Sequence, residues 1–454
     1  MKVKVRIAPS PTGFLHIGTA QSALYNWLFA KKNKGEFCLR IEDTDKERST
    51  KEYELSILDA LGWLDLKWDG DVVRQSERTN KHKASLEKLL ADGRAFYCHH
   101  TKEELGAERK EQEEKKEAPT HICSHKNEAK GKQPGGIIRL INYSPDNKSG
   151  VVSFEDIIRG NIHVRSSLLG DFSIAKSLDE PLYNFAVVID DADMEITHVV
   201  RGEDHISNTS KQILIYEALD KRLPRFAHLP LILAPDRSKL SKRHGATAVI
   251  DYKKDYLPEA VVNFLGGLSY TFSKDILTKE EMVEEFELLK VHKSGAIFDL
   301  KKLNWINSQH VKKLSPSEFK KTVEMPEIPD SAVPLITERL EKLSDVWDFD
   351  YFWKEPEYDK ELLKWKKYSL EESKTSLEKV KLILEKFDFK DINAPRLLLD
   401  NLGLEVGDRG LAYWPLRVAL TGKEKSPDPV DVLSVLGKEE TLKRIDSAIY
   451  KLKI

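Results

Sequence analysis

Lys2-Val3-Lys4-Val5-Arg6-Ile7-Ala8-Pro9-Ser10-Pro11-Thr12-Gly13-Phe14-Leu15-His16-Ile17-Gly18-Thr19 is the stretch that decides the fold. From Lys2 to Ala8 charged and apolar residues alternate as a strand requires. Pro9, Pro11 and Gly13 end the alternation in a tight loop. A helical pattern then starts near His16, with Ala20, Leu24, Trp27 and Leu28 on one face. Strand, tight loop and helix in this order aim free N–H groups and a positive dipole end at the loop, where a polyphosphate can approach the backbone.

Working outward, the rhythm repeats. Phe37 to Ile41 reads as a second strand ending in Glu42-Asp43-Thr44-Asp45, and a helix runs through Leu55, Leu58 and Leu61 to Gly62. Such alternation predicts a parallel, doubly wound sheet with its sites at the carboxyl ends of strands. The stretch from about Tyr97 to Leu182 breaks the rhythm and reads as an insertion. Within it, Lys102 to Glu117 is a charge-dense solvated helix face, and Gly136 to Ile141 and Val151 to Phe154 are short β-like runs. Strands are expected again at Phe185 to Ile189 and Thr197 to Val200, a helix at Ser210 to Leu219, and a strand at Ala227 to Leu233. Beyond Pro258 the pattern is helical, as at Leu377, Val380, Leu384 and Phe387.

A chain of 454 residues exceeds one compact core, so about three domains are expected at roughly 100–200 residues each. With 40% hydrophobic and 33% charged residues, global disorder is excluded. A net charge of −2 means that any nucleic-acid partner must be held by local basic clusters. The N-terminal residues carry no apolar leader, and a soluble cytoplasmic protein without a membrane anchor is expected. The three cysteines, Cys38, Cys98 and Cys123, do not make a disulfide framework.

Two further motifs carry chemistry. Lys239-Leu240-Ser241-Lys242-Arg243-His244-Gly245 follows a strand and a Pro235-Asp236 turn. Its lysines can neutralise the β- and γ-phosphates as pyrophosphate leaves, although a plain basic loop has the same composition. His16 is likewise either a helix cap or a donor to phosphate oxygens. Cys98-His99-His100 and Cys123-Ser124-His125 form two C-x-H pairs. Cys98, His100, Cys123 and His125 would suit tetrahedral structural zinc, the alternative being reduced cysteines in a loop-rich segment. Lys301, Lys302, Lys312, Lys313, Lys320 and Lys321, interleaved with Trp305 and His310, could track phosphates or form a solvated face.

Taken together, the histidine and lysine motifs resemble the HIGH and KMSKS signatures of class I aminoacyl-tRNA synthetases. Arg6 to Gly13, Arg40-Ile41-Glu42-Asp43-Thr44-Asp45, Val200-Arg201-Gly202-Glu203-Asp204-His205 and Lys239 to Gly245 resemble the glutamyl-tRNA synthetase family in particular. The first signature here reads His-Ile-Gly-Thr, without the second histidine. The likeness spans the whole chain and is strongest before residue 310.

The resemblance implies an α/β Rossmann-like catalytic domain with an α+β insertion, followed by all-α stem-contact and anticodon-binding domains. Catalytic halves are implied at 1–97 and 183–250, an acceptor-binding insertion at 98–182, a stem-contact domain at 251–312, and helical anticodon subdomains at 313–375 and 376–454. The implied activity is ATP-dependent attachment of L-glutamate to tRNA(Glu), by a monomer, with Mg2+ on the phosphates and Zn2+ in the insertion. In relatives a C-x-C and C-x-H arrangement binds that zinc, so His100 stands where they have cysteine.

His16, Lys239 and Lys242 would be catalytic, and His16, Gly18, Lys239, Ser241, Lys242 and Arg243 would hold ATP. Glutamate carries two carboxylates and one ammonium, so its pocket needs guanidinium or amide partners and a carboxylate. Arg6, Arg201 and Glu42 supply them, and the resemblance adds Ser10 and Tyr183. Which arginine meets the side-chain carboxylate stays open. Arg339 falls where an anticodon-contacting arginine is often found. Charging of tRNA(Gln) as well is the nearest rival reading; a small-molecule nucleotidyltransferase and a non-catalytic RNA-binding relative are more distant ones.

Overall fold

The computed structural model describes residues 2–142, 150–241, 243, 247–387, 389 and 393–453. In chain order it contains β1 (Lys4–Ile7), α1 (Ile17–Lys32), β2 (Glu36–Ile41), α2 (Lys51–Trp63), β3 (Val73–Arg74), α3 (Thr79–Ala91), β4 (Ala95–Cys98), α4 (Lys102–Glu114), β5 (Ile137–Leu140), β6 (Val151–Asp156), β7 (Gly160–Arg165), β8 (Ser173–Ser177), β9 (Glu180–Pro181), α5 (Tyr183–Asp193), β10 (His198–Gly202), α6 (Ile206–Ala218), β11 (Arg225–Leu229), β12 (Ile232–Leu233), α7 (Pro258–Gly267), α8 (Lys279–Glu285) and β13 (Ala296–Ile297). Helices α9 (Leu300–Val311), α10 (Pro316–Thr322), α11 (Val333–Thr337), α12 (Leu370–Glu385), α13 (Asn393–Glu405), α14 (Arg409–Thr421) and α15 (Pro429–Lys451) follow. The chain divides into two units, Met1–Lys253 with Pro258–Leu300, and Lys254–Leu257 with Lys301–Ile454. The stretch 251–312 is thus shared between them, with 258–300 in the first.

In the first unit β1, β2 and β3 run parallel in that order. On the other side of β1, Thr197 N–H donates to Lys4 O (2.9 Å) and Lys4 N–H to Thr197 Oγ1 (2.8 Å). These bonds lead into β10, which pairs parallel with β11. The sheet therefore turns outward in both directions from the β1/β10 boundary, the kind of switch point at which doubly wound folds open a crevice. Helix α1 crosses that boundary. Ala20, Leu24 and Leu28 are fully buried as the sequence pattern requires, and the buried Asn26 Nδ2 donates to Val200 O (3.0 Å), tying α1 to β10.

One expectation needs correction. Phe185 to Ile189 is not a strand but the middle of α5. Every residue from Phe185 to Asp191 is buried, and a helix covered on all sides shows no periodic polar face; its β-branched Val187, Val188 and Ile189 then imitate a core strand. The stretch 98–182 contributes to two sheets. β4, β5, β8 and β9 form an antiparallel sheet, but β6 pairs parallel with β11 and so joins the main sheet. The antiparallel sheet shares its core with α3, α5 and α6 through Leu86, Tyr97, Ile138, Ile174, Phe185 and Ile215. Helix α4, as expected from its charge, buries none of its residues.

The second unit is helical. Leu377, Val380 and Leu384 are fully buried on α12. The buried Arg444 of α15 donates to Tyr351 O (2.7 Å) and Leu420 O (2.6 Å), satisfying carbonyls that a packed interior leaves without water. Ser315 and Ser369 begin α10 and α12 with capping boxes closed by Glu318 and Glu372. Among the described residues, no helix is long and apolar enough to cross a membrane.

Candidate functional site

A cavity of about 460 Å³ opens at the carboxyl ends of β1 and β10 beside the start of α1. It is lined by Arg6, Ser10, His16, Gly18, Glu42, Tyr183, Arg201 and Lys239, so the structure gathers residues from five separated stretches of sequence. His16 is both a cap and a cavity residue: its Nδ1 accepts from Gly18 N–H at 3.1 Å. In the neutral ring that leaves the proton on Nε2, making this nitrogen a donor. Burial, with the nearby Lys239 charge, lowers the His16 pKa and favours that neutral form.

The lysine motif is anchored on both sides of the cavity. Leu240 N–H donates to Ile232 O (3.1 Å), and Lys239 Nζ lies 3.0 Å from Asp204 Oδ2. Beyond the motif, Ile17 N–H donates to Thr247 O and Val249 N–H to Leu15 O, both at 2.9 Å, so the chain returns against the start of α1. Ser241 is half-buried and Arg243 exposed, and neither lines the cavity. Lys242, His244 and Gly245 lie outside the described residues.

The three charged residues expected to sort an amino acid stand in different electrical states. Arg6 is held by Asp191 through Nε (3.0 Å) and Nη2 (3.2 Å). Arg40, fully buried, donates to the same Asp191 (2.5 Å) and to Glu42 Oε1 (2.9 Å). Two guanidiniums and two carboxylates thus balance one another in the interior. Burial, opposed by the attraction of Arg40, raises the Glu42 pKa; burial acts on Asp191 in the same sense, but Arg40 and Arg6 outweigh it and lower its pKa.

Among the described residues, Arg201 has no carboxylate partner. Its Nε donates to His228 Nε2 (3.3 Å), and its Nη2 donates to Thr209 Oγ1 (2.7 Å) and Gln212 Oε1 (2.8 Å), all neutral acceptors. Its Nη1 is buried and has no hydrogen-bond partner among the described residues. An unpaired charged donor in a low-dielectric wall is costly until a ligand supplies the acceptor.

Several of these residues were not anticipated from the sequence. Asp191 was hidden in a helix that reads as a strand. His205, which also lines the cavity with its Nδ1 3.2 Å from Tyr183 OH, ends the Val200 to His205 motif and could have been included.

The second cluster corrects the expected ligand set. Cys98, His100, His121 and Cys123 bring one donor atom each within 4.8 Å of one another. His125 is outside this group. The short helical turn Ser124–Asn127 carries it aside, where its Nδ1 accepts from His99 N–H (3.1 Å) and its ring stacks on His100. The Sγ-to-N distances are 3.4 Å and 3.5 Å from Cys98 and Cys123 to His100, and 3.7 Å from Cys98 to His121. A tetrahedral zinc ion with ordinary Zn–S and Zn–N bonds would set these at about 3.5 Å. His121 Nδ1 also meets Glu108 Oε2 at 2.6 Å, the carboxylate support typical of a metal-binding imidazole. The residues present fit the ion.

In the second unit Arg339 is exposed, with Nη1 donating to Leu335 O (3.3 Å) and lying 3.6 Å from Glu338. Lys301, Lys302, Lys312, Lys313 and Lys321 are exposed, while Lys320 is half-buried and pairs with Asp330. Trp305 is 44% exposed, leaving an aromatic face among these cations.

Residues 2–305 match the family described as tRNA synthetases class I (E and Q), catalytic domain, and residues 287–449 match an anticodon binding domain. The chain is 40% identical over 482 residues to glutamate–tRNA ligase 2 of Thermoanaerobacter pseudethanolicus, covering 99% of this chain and 98% of that one. It is 41% identical over 494 residues to the glutamate–tRNA ligase of Carboxydothermus hydrogenoformans, covering 98% and 99%. A crystal structure of a glutamate tRNA ligase from Elizabethkingia meningosepticum in complex with its amino acid superposes with a TM-score of 0.86 at 32% identity over the whole of both chains. Sheet order, cavity and these full-length likenesses agree, and the chain belongs to the glutamate–tRNA ligase family of class I aminoacyl-tRNA synthetases.

Proposed function

We propose that this enzyme activates L-glutamate with ATP in the cavity between β1 and β10 and transfers it to the 3′ end of tRNA(Glu). The observation that carries the reading is the unpaired Nη1 of Arg201. Because Arg6 and Arg40 are already balanced by Asp191 and Glu42, the side-chain carboxylate of glutamate goes to Arg201. Glu42, at the cavity wall, takes the ammonium, with Ser10 and Tyr183 beside the amino acid.

ATP lies across the start of α1, against Gly18 and His16, with its phosphates toward Lys239, Ser241, Lys242 and Arg243. The α-carboxylate attacks the α-phosphorus and pyrophosphate leaves; a ribose hydroxyl of the tRNA then takes the acyl group from the adenylate, releasing AMP. No protein nucleophile is needed. The chain contributes orientation, a neutral His16 donor and lysine charge at the leaving phosphates. Magnesium would be carried by the phosphate oxygens of ATP, where it would offset charge on the leaving pyrophosphate. Zinc bound by Cys98, His100, His121 and Cys123 would cross-link the segments around β4 and α4 without entering the reaction. The helical second unit reads the tRNA, Arg339 at the anticodon and the lysines around Trp305 along the backbone. The enzyme acts in the cytoplasm as a monomer.

Aminoacylation of total tRNA with labelled glutamate, glutamine and aspartate, followed by identification of the acceptors, tests the reading. Labelled glutamate on tRNA(Glu) alone is expected. Glutamate on tRNA(Gln) as well would make the enzyme non-discriminating, and no tRNA-dependent product would refute the proposal.

A further inference from the structure

Arg201 is held in place by a chain of buried groups that begins far away in sequence. Asp156, at the end of β6, is 1% exposed, and His228, on β11, is fully buried. Asp156 Oδ1 accepts from the backbone N–H groups of Ile158 (3.0 Å), Arg159 (2.8 Å) and His228 (3.3 Å). Its other oxygen, Oδ2, lies 2.6 Å from His228 Nδ1. A carboxylate only accepts, so Nδ1 carries a proton. At the far side of the ring, Nε2 faces Arg201 Nε at 3.3 Å and Thr209 Oγ1 at 3.0 Å. Arg201 only donates, so Nε2 is a lone pair and the imidazole is neutral. Arg159, the other cation beside His228, is paired with Glu203.

We propose that Asp156 and His228 are positioning residues for glutamate selection: by fixing the tautomer of His228 they hold Arg201 in place while leaving its charge unneutralised. The inference rests on Arg201 receiving the side-chain carboxylate. A carboxylate in direct contact would position Arg201 equally well, but it would take the charge meant for the substrate. Set one imidazole back, Asp156 orients without neutralising. The substrate must then bring the negative charge, which a side-chain amide of the same shape does not.

Asp156→Asn tests this at the level of one proton. Oδ1 accepts from three N–H groups, so the amide oxygen takes that position and its NH2 turns to His228 Nδ1. The ring must then accept at Nδ1 and carry its proton on Nε2, directly against Arg201 Nε–H; a comparable tautomer reversal disables the serine-protease triad. In steady-state aminoacylation at saturating tRNA, KM for glutamate should rise by roughly tenfold or more while KM for ATP stays within about twofold. The ATP value also reports that the protein is folded.

A second pair of variants carries the test should Asp156→Asn fail to fold. His228→Gln restores a neutral acceptor for Arg201 and should lie nearer the wild-type glutamate KM than His228→Leu does. Parallel rises in both KM values, or equal glutamate KM in the Gln and Leu variants, overturn the relay. Arg201→Ala separates the two levels. An unchanged glutamate KM there overturns the role of Arg201 itself, whereas a raised KM with Asp156→Asn unmoved overturns only the relay.

Discussion

Asp191→Asn is the most informative single change in the interior, because one carboxylate serves two buried arginines. Asp191 accepts from Nε and Nη2 of Arg6 and from Nη1 of Arg40, and all three side chains are at most 5% exposed. The amide keeps the shape but removes the charge and turns an NH2 toward a guanidinium donor. Glu42 alone then balances Arg6 and Arg40. Breaking a buried pair by removing one partner costs about 3–5 kcal/mol, a large part of the net stability of a domain, about 5–15 kcal/mol. Because the chain has two units, the assay must report locally. Hydrogen exchange followed on peptides from β1, β2 and α5 should lose protection equivalent to about 3 kcal/mol, with peptides from α12 and α14 unchanged as the internal control. The pH dependence fixes the sign. Arg40 and Arg6 lower the folded-state pKa of Asp191, so its contribution is complete above the unfolded value of about 3.9 and disappears as pH falls toward the folded one. The gap between wild type and variant should therefore be constant near neutrality and close only in acid. A loss under about 1 kcal/mol, or a gap that widens in acid, would refute the charge balance.

For the cluster around β4, the purified protein should contain about one equivalent of zinc per chain. His121→Ala and Cys123→Ser should lose it on mild chelation while His125→Ala retains it; loss only with His125→Ala would restore the ligand set expected from sequence. In the second unit, Gly410→Ala should destabilise the packing of α14, since a Cβ there would overlap the Trp365 indole. A cost of about 1–3 kcal/mol is expected from overpacking, read as lost hydrogen-exchange protection in peptides from α12 and α14, and an unaltered profile would contradict the packing.

Much of the site is legible in sequence because its parts are local. The alternation before Ala8 and the helical spacing after His16 depend on neighbours a few residues apart, so β1, the loop and α1 follow directly, and with them the end of the sheet where the cavity opens. The residues that decide electrical state are not local. Asp191 reaches Arg6 and Arg40 across the sheet from α5, whose burial on all sides erased the helical period. Asp156 and His228 come from strands that pair only after the chain has run through the antiparallel sheet. His121 replaces His125 because a short turn separates Cys123 from its second neighbour, which no C-x-H spacing records. Whether a guanidinium is paired or free is a property of the folded interior, and the sequence names Arg6 and Arg201 alike.

The central claim is that Arg201 meets the side chain of the substrate. A crystal structure with L-glutamate and a non-hydrolysable ATP analogue tests it most directly. The account predicts the side-chain carboxylate at about 2.7–3.0 Å from Arg201 Nη1, with Asp191 still bonded to Arg6 and the nucleotide beside His16. A glutamate whose side chain pairs with Arg6 in place of Asp191, leaving Arg201 Nη1 without a partner, would contradict it.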